Sequence, residues 1–425
     1  MTAFRFLVRT PVSTTIVFLA LFLYIFNILP PWGPEKLGTR EYFSLLASFW
    51  ILFVLKDLPK TYYLIILANY SQVLFSLLTV FINGTTDFWY VQFVIRNVLY
   101  INGAVAIAYM MPKSWSFNDL LILIVLTIIV NDFISLLGFL NPAIRSFILS
   151  IQSFVDLNQV QNTVKFGVRI VGIGQNNYFR GGVINGMGII LVFYLISKRV
   201  LRPVLGMTMI GFMTIVGLFI ARTTIIGFLL GILLFAGKAS SKIKLSTGIV
   251  AVLLTTIVLF SNMFDSVNTS HAFEIFYKID DLDKVHSLHH LRTMYDRNMS
   301  PSTLLIGDGL SKEGGLYYGQ TDVGYMRNIL YFGLIGTIFG YLYYEYFIFK
   351  KFFQFDRRQK NLIIILVLYL LILNLKSLPD YNFFVFLLMG FYIKKRAELL
   401  LLVRRVAGLR RKVKIQALFR KSSAF

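Results

Sequence analysis

Between Val204 and Ala236 the chain runs for 33 residues with a single charge, Arg222. As one straight helix that run would be about 50 Å long, against a bilayer core of about 30 Å. It is too long for one crossing and a little short for two. The length predicts two helices joined by a tight turn at "ARTT", Ala221 to Thr224, with Arg222 at or just beneath a membrane surface. Apolar runs of about 17 residues or more, enough for a helix to cross a bilayer, recur along the whole chain. That recurrence predicts an all-α polytopic membrane protein. Composition agrees, with 57% hydrophobic and 15% charged residues, where soluble proteins carry about 25% charged.

Twelve spans are expected, roughly at 12–30, 42–56, 61–83, 87–111, 118–140, 182–197, 203–221, 223–237, 245–263, 322–349, 361–377 and 381–393. Cytoplasmic loops of membrane proteins are rich in Lys and Arg. With the N-terminus inside, the short inner segments and the tail from Lys394 hold 27 of the 42 Lys and Arg. This places both ends inside. The expected division is five membrane helices in 1–140, a first large outer loop at 141–181, four helices in 182–263, a second large outer loop or lid at 264–321, three helices in 322–393, and a basic amphipathic tail at 394–425. The tail reads as a helix lying on the anionic inner membrane surface. Its charge accounts for much of the net +22, so membrane lipid is an expected partner and nucleic acid is not. Arg5 and Arg9 precede the first run as in a signal peptide, but no small-x-small site follows, so that run is read as an uncleaved anchor. There is no cysteine, which removes disulfides and thiolate metal sites from consideration.

A charge inside a bilayer costs a few kcal/mol or more and normally faces a partner or a polar cavity. Arg222 therefore either snorkels to lipid headgroups or serves as an anion ligand. Other arginines fall on the same predicted face: Arg169 and Arg180 in the first outer loop, Arg292 and Arg297 in the second, and Arg327 one turn inside the following helix. Guanidinium forks hold phosphate oxygens bidentately, so the group suggests a phosphate or pyrophosphate site. Arg96 and Asp132 lie at similar depth in neighbouring spans and read as a structural ion pair. His286, His289 and His290 have metal-like spacing without a further ligand in register, so neither a metal nor another cofactor is expected.

Three stretches in order resemble the Wzy-type O-antigen and capsular polysaccharide polymerases of the O-antigen polymerase and ligase superfamily. They are "RIVGIGQNNYFRGGVINGMG" from Arg169, "ARTTIIGFLLG" from Ala221, and "LIGDGL…TDVGYMRNILYFGLIG" from Leu305 to Gly336. The related ligases carry a His-Asn pair where this chain has Asp322 and Val323, a departure that argues against ligase activity.

The resemblance implies a C-type membrane glycosyltransferase layout and metal-independent, inverting transfer at the outer face of a bacterial cytoplasmic membrane. Donor and acceptor would both be undecaprenyl-pyrophosphate-linked glycans, and such polymerases usually work with a chain-length regulator. Arg222, Arg169 and Arg327 would hold the donor pyrophosphate, with Arg180, Arg292 and Arg297 beside them. Asp322 would take the acceptor proton, or merely cap the helix it precedes. His289 or His290 is the second candidate base, and each also reads as an ordinary loop histidine. Tyr317, Tyr318 and Tyr325 could stack on sugars. A ligase and a lipid-linked oligosaccharide flippase remain the alternatives.

Overall fold

The computed structural model describes residues 11–32, 37–153, 170–174, 178–236, 294–295, 299–313, 316–338, 357–378 and 382–422. The first half contains α1 (Pro11–Phe26), α2 (Thr39–Val54), α3 (Lys60–Ile82), α4 (Trp89–Met110) and α5 (Phe117–Leu140), then a short α6 (Pro142–Ser150). There follow α7 (Tyr178–Ser197), α8 (Pro203–Ile220) and α9 (Thr224–Ala236). The remainder contains the one-turn α10 (Pro301–Leu305), a two-stranded ladder of β1 (Lys312–Glu313) and β2 (Leu316–Tyr317), then α11 (Gly324–Thr337), α12 (Arg357–Asn374) and α13 (Asn382–Ser422).

Among the described residues α3, α4, α5, α7 and α8 are long and apolar enough to cross a membrane, and α1 and the start of α9 are shorter apolar helices. The architecture is that of an all-α membrane protein. The span expected at 245–263 lies outside the described residues. The long apolar run does break where its length requires, because α8 ends at Ile220 and α9 begins at Thr224.

Local sequence sets the helix starts. Ser116 and Asp119 form a reciprocal capping box at α5, with Asp119 Oδ2 accepting from the Ser116 N–H at 2.7 Å. Pro203 occupies the first turn of α8, where no N–H is needed.

Two helices act as hubs. α4 packs against α2, α3 and α13, and α7 packs against α5, α8 and α9. The apolar stretch of α7 is 89% buried, against 33% for the peripheral α3. Lipid gives apolar side chains no reason to leave it, so close backbone approach through small residues carries much of the packing. At Gly227 an added Cβ would lie 2.3 Å from the Gly186 Cα, and at Gly390 it would lie 2.5 Å from the Ala104 carbonyl oxygen. These contacts seat α9 on α7 and α13 on α4.

Contacts between helix ends join segments that share a side in the expected topology. At one end, Ser153 donates to the Leu29 carbonyl (2.7 Å) and Thr85 to the Gly309 carbonyl (2.9 Å), joining turns and loops that were all read as outer. At the other, Lys394 and Lys395 donate to the carbonyls of Met111 and Lys113, joining two segments read as inner.

Three features depart from the sequence expectation. The first large loop contains α6, whose N-cap is Asn141 accepting from the Ala143 N–H at 2.9 Å. α13 runs through residue 394 without a break, so no structural boundary marks the start of the tail. α11 was expected as one uninterrupted helix, but Gly333 interrupts it at φ 66°, ψ −177°.

Candidate functional site

The break at Gly333 shapes the site. A continuous helix would use the carbonyls of Leu330 and Tyr331 internally. Here they accept from the N–H groups of Asp308 (2.7 Å) and Gly309 (3.1 Å). The "IGDGL" segment is thus docked edge-on against the broken helix. Only glycine permits that approach. A Cβ at Gly307 would lie 2.3 Å from the Tyr331 carbonyl oxygen, and one at Gly333 would lie 2.2 Å from that of Leu305. Gly307 itself has φ 81°. Gly333→Ala is expected to cost ~1–3 kcal/mol from backbone strain alone and to dislodge the 305–309 segment. A fall in melting temperature together with new protease cleavage near residue 307 would register this, and an unchanged digest would contradict it.

Asp87, in the turn between α3 and α4, clamps the same segment from the other side. Its Oδ2 accepts from the Ser311 N–H and Oγ (both 2.6 Å) and the Lys312 N–H (3.3 Å), while Oδ1 accepts from the Trp89 N–H (3.0 Å). Burial pushes its pKa up, but the hydrogen bonds from Ser311, Trp89 and Lys312 outweigh that and hold it below the usual carboxylate range. A carboxylate lowered in the folded state contributes stability above its ordinary pKa of about 4, and that contribution is lost as pH falls through the folded value. Amide exchange over residues 309–313 is therefore expected to accelerate below about pH 4. Asp87→Asn should give fast exchange there already at pH 7 and remove the acid dependence.

Between α10, the ladder and the 3-10 turn Tyr318–Gln320 lies a pocket of about 370 Å³. Ser300, Thr303, Asp308, Glu313, Tyr317 and Tyr318 line it, with Leu330 of α11 beneath. Among the described residues no Lys or Arg lines it. Asp308 Oδ1 accepts from Thr303 Oγ1 at 2.8 Å and Oδ2 from the Tyr318 hydroxyl at 3.0 Å.

Arg327 stands next to this pocket. Its Cζ lies 4.0 Å from the Tyr317 ring centroid and 5.0 Å from that of Trp89, so two aromatic rings hold the guanidinium. Only 8% of the residue is exposed, and its Nε and Nη2 have no hydrogen-bond partner among the described residues. Buried cations are ordinarily paired, and among the described residues no acid pairs with this one.

Arg222 sits half-buried in the turn between α8 and α9. Arg180, in the first turn of α7, donates from Nη2 to the Ile25 carbonyl at 3.2 Å, so at least part of its capacity goes to the C-terminus of α1. Arg180 and Arg222 are on adjoining elements, because a Cβ at Gly182 would touch Thr223 Oγ1. They belong to the α7–α9 side of the bundle, whereas Arg327 rests on α4. Helix α12 links the two regions. Its Tyr369 hydroxyl donates to the Val183 carbonyl (3.2 Å), and Asn374 lies against Gly324. Tyr325 donates to the Leu371 carbonyl at 2.9 Å, tying α11 to α12. Asp322 precedes α11, but the N-cap position is Val323, with no side-chain cap bond. Asp322 is not among the residues lining the pocket. Arg169, Arg292, Arg297, His289 and His290 lie outside the described residues.

One expectation is overturned. Asp132 does not pair with Arg96. It is fully buried, neither carboxyl oxygen has a hydrogen-bond partner among the described residues, and Asn185 of α7 lies beside it. Helix α5 packs on α7 and α8 while α4 packs on α2, α3 and α13. Similar depth in the sequence did not mean a shared interface.

Sequence reading also missed Asp308 and Trp89 as site residues. The flanking Gly307 and Gly309 were the available signal for Asp308. Trp89 gave none, because membrane-interface tryptophans are ordinary.

These features define an all-α membrane protein with a polar pocket and a buried cation at the loop-bearing end. Comparison with known protein families, with curated proteins and with solved structures finds no match.

Proposed function

We propose that this chain is a polysaccharide polymerase of a bacterial cytoplasmic membrane, with twelve spans, both termini inside and the pocket facing outward. It would transfer an undecaprenyl-pyrophosphate-linked glycan onto the terminal sugar of a second lipid-linked repeat unit. In that reaction the bond from the donor's anomeric carbon to the phosphate oxygen breaks and a new glycosidic bond forms. The acceptor hydroxyl loses its proton and undecaprenyl pyrophosphate leaves. The observation that carries the reading is Arg327, a buried guanidinium beside a polar pocket, with two nitrogens that have no partner among the described residues. A departing diphosphate needs positive charge fixed in place, and preorganised charge is often the largest part of catalysis. The resemblance of the three motif stretches to Wzy-type polymerases supports the substrate class and the metal-independent, inverting course.

A flippase reading draws on Asp132 and Asn185, which are buried without a hydrogen-bond partner among the described residues, since polar groups inside a membrane bundle often mark a transport path. Deleting the gene in the native bacterium and running its surface polysaccharide on a gel separates the readings. A single repeat unit at the surface with the long ladder gone supports the polymerase. Full-length glycan held on the carrier lipid means a ligase, and repeat units trapped on the inner leaflet mean a flippase.

A further inference from the structure

We infer that the pocket between α10 and Tyr317–Gln320 is a pyranose subsite selective for neutral or amino sugars over acidic ones, and that Asp308 takes the acceptor hydroxyl's proton there. The second half rests on the polymerase reading, while the first stands on the pocket alone. At about 370 Å³ it falls in the range of small-ligand sites. Its wall offers what sugars use: the hydroxyls of Ser300, Thr303 and Tyr318, the Gln320 amide, and tyrosine rings. It also carries two carboxylates, Asp308 and Glu313, and, among the described residues, no basic side chain. Carboxylates accept strongly from sugar hydroxyls and ammonium groups. They repel the carboxylate of a uronic acid, and like charges brought together in an interface cost several kcal/mol.

Asp308 is the better placed carboxylate for proton transfer. Thr303 and Tyr318 each donate to one of its oxygens, fixing the group while leaving further acceptor capacity on each. Its own N–H is anchored on the Leu330 carbonyl, so the backbone beneath it is held as well. Glu313, exposed on β1, has no comparable hydrogen-bond anchor among the described residues and serves as the second negative charge. In the transfer the acceptor oxygen would bond to the donor's anomeric carbon as its proton passes to Asp308. The leaving diphosphate takes the bonding pair beside Arg327.

The test uses the full chain purified in lipid nanodiscs, with saturation-transfer NMR of methyl β-glucoside, methyl β-glucosaminide and methyl β-glucuronide. The first two should receive saturation, and the glucuronide should bind about tenfold more weakly or less. Glu313→Gln, at an exposed position, should narrow that gap. Asp308→Asn should narrow it too while abolishing the ladder. Equal binding of glucuronide and glucoside to the native chain, or no saturation of any of the three, would overturn the subsite. A full ladder with Asp308→Asn would overturn its proton-accepting part. Failure of the polymerase reading shows separately on deletion of the gene, as full-length glycan held on the carrier lipid, repeat units trapped on the inner leaflet, or an unchanged ladder.

Discussion

Arg327→Met is expected to cut glycan polymerisation by ~100-fold or more while the protein still folds and inserts. Methionine keeps the length and the apolar contact with the Trp89 and Tyr317 rings, which hold the native Cζ at 5.0 and 4.0 Å. What it removes is the charge and the N–H groups. Loss of one preorganised donor to a developing anion costs about 10²–10³ in rate. Nε and Nη2 have no partner among the described residues, so few internal bonds are sacrificed. Burying an unpaired cation is unfavourable for the empty protein. The melting temperature of the variant should therefore hold or rise as its activity disappears. That opposite movement distinguishes a ligand-binding arginine from a structural one. Arg327→Lys should also fail, since an ammonium lacks the plane that fits between two rings and the fork that holds two oxygens. A normal ladder with Arg327→Met would remove the central support of the proposed function.

The helices were readable because bilayer thickness and chain length leave few solutions. The division of Val204–Ala236 at Ala221–Thr223 follows from arithmetic on a 33-residue run, and the structure has it. What a cation in a turn is for was far less readable. Arg180 and Arg145 look alike in the sequence as arginines near predicted outer ends. Arg145 donates to the Gly138 and Phe139 carbonyls at the end of α5, and Arg180 reaches the Ile25 carbonyl at the end of α1. Helix C-termini expose carbonyls and favour nearby cations, so a cap and a phosphate ligand leave the same trace in one sequence. Asp308 was hidden for a related reason. Its position depends on a helix break at Gly333, 25 residues away, and a glycine in an apolar run reads as packing until its φ is known. The Arg96–Asp132 pairing failed because depth along two helices says nothing about which faces meet.

Arg40 was not singled out by the sequence, and its replacement should have the largest effect on stability of any single arginine described. Arg40→Met is expected to destabilise the protein by about 3–5 kcal/mol, the range for removing one member of a buried charged network. The residue is completely buried at the start of α2. Its Nε donates to the Tyr24 carbonyl at 2.6 Å and its Nη2 to the Ile25 carbonyl at 2.9 Å. Both acceptors are in the last turn of α1, where the ladder has run out of donors. The Cζ also lies 4.1 Å from the Phe383 ring centroid, 5.1 Å from Tyr100 and 5.6 Å from Tyr24. One guanidinium therefore joins α1, α2, α4 and α13. Methionine would preserve the stacking volume but remove the Arg40 donor from the Tyr24 carbonyl and leave that of Ile25 with Arg180 alone among the described residues, and a buried carbonyl short of a donor costs about 1–3 kcal/mol. Glu41, the adjacent acid, would lose a neighbouring positive charge while still accepting from Tyr100 and from the Gly38 N–H at 2.9 Å. Thermal unfolding in detergent or nanodiscs measures the effect. Arg40→Lys should fall between the two, because one ammonium can donate to the carbonyls but cannot lie flat on three rings. Equal melting temperatures for native and Arg40→Met would mean that the carbonyls of α1 find other donors and that the four-helix junction does not depend on this charge.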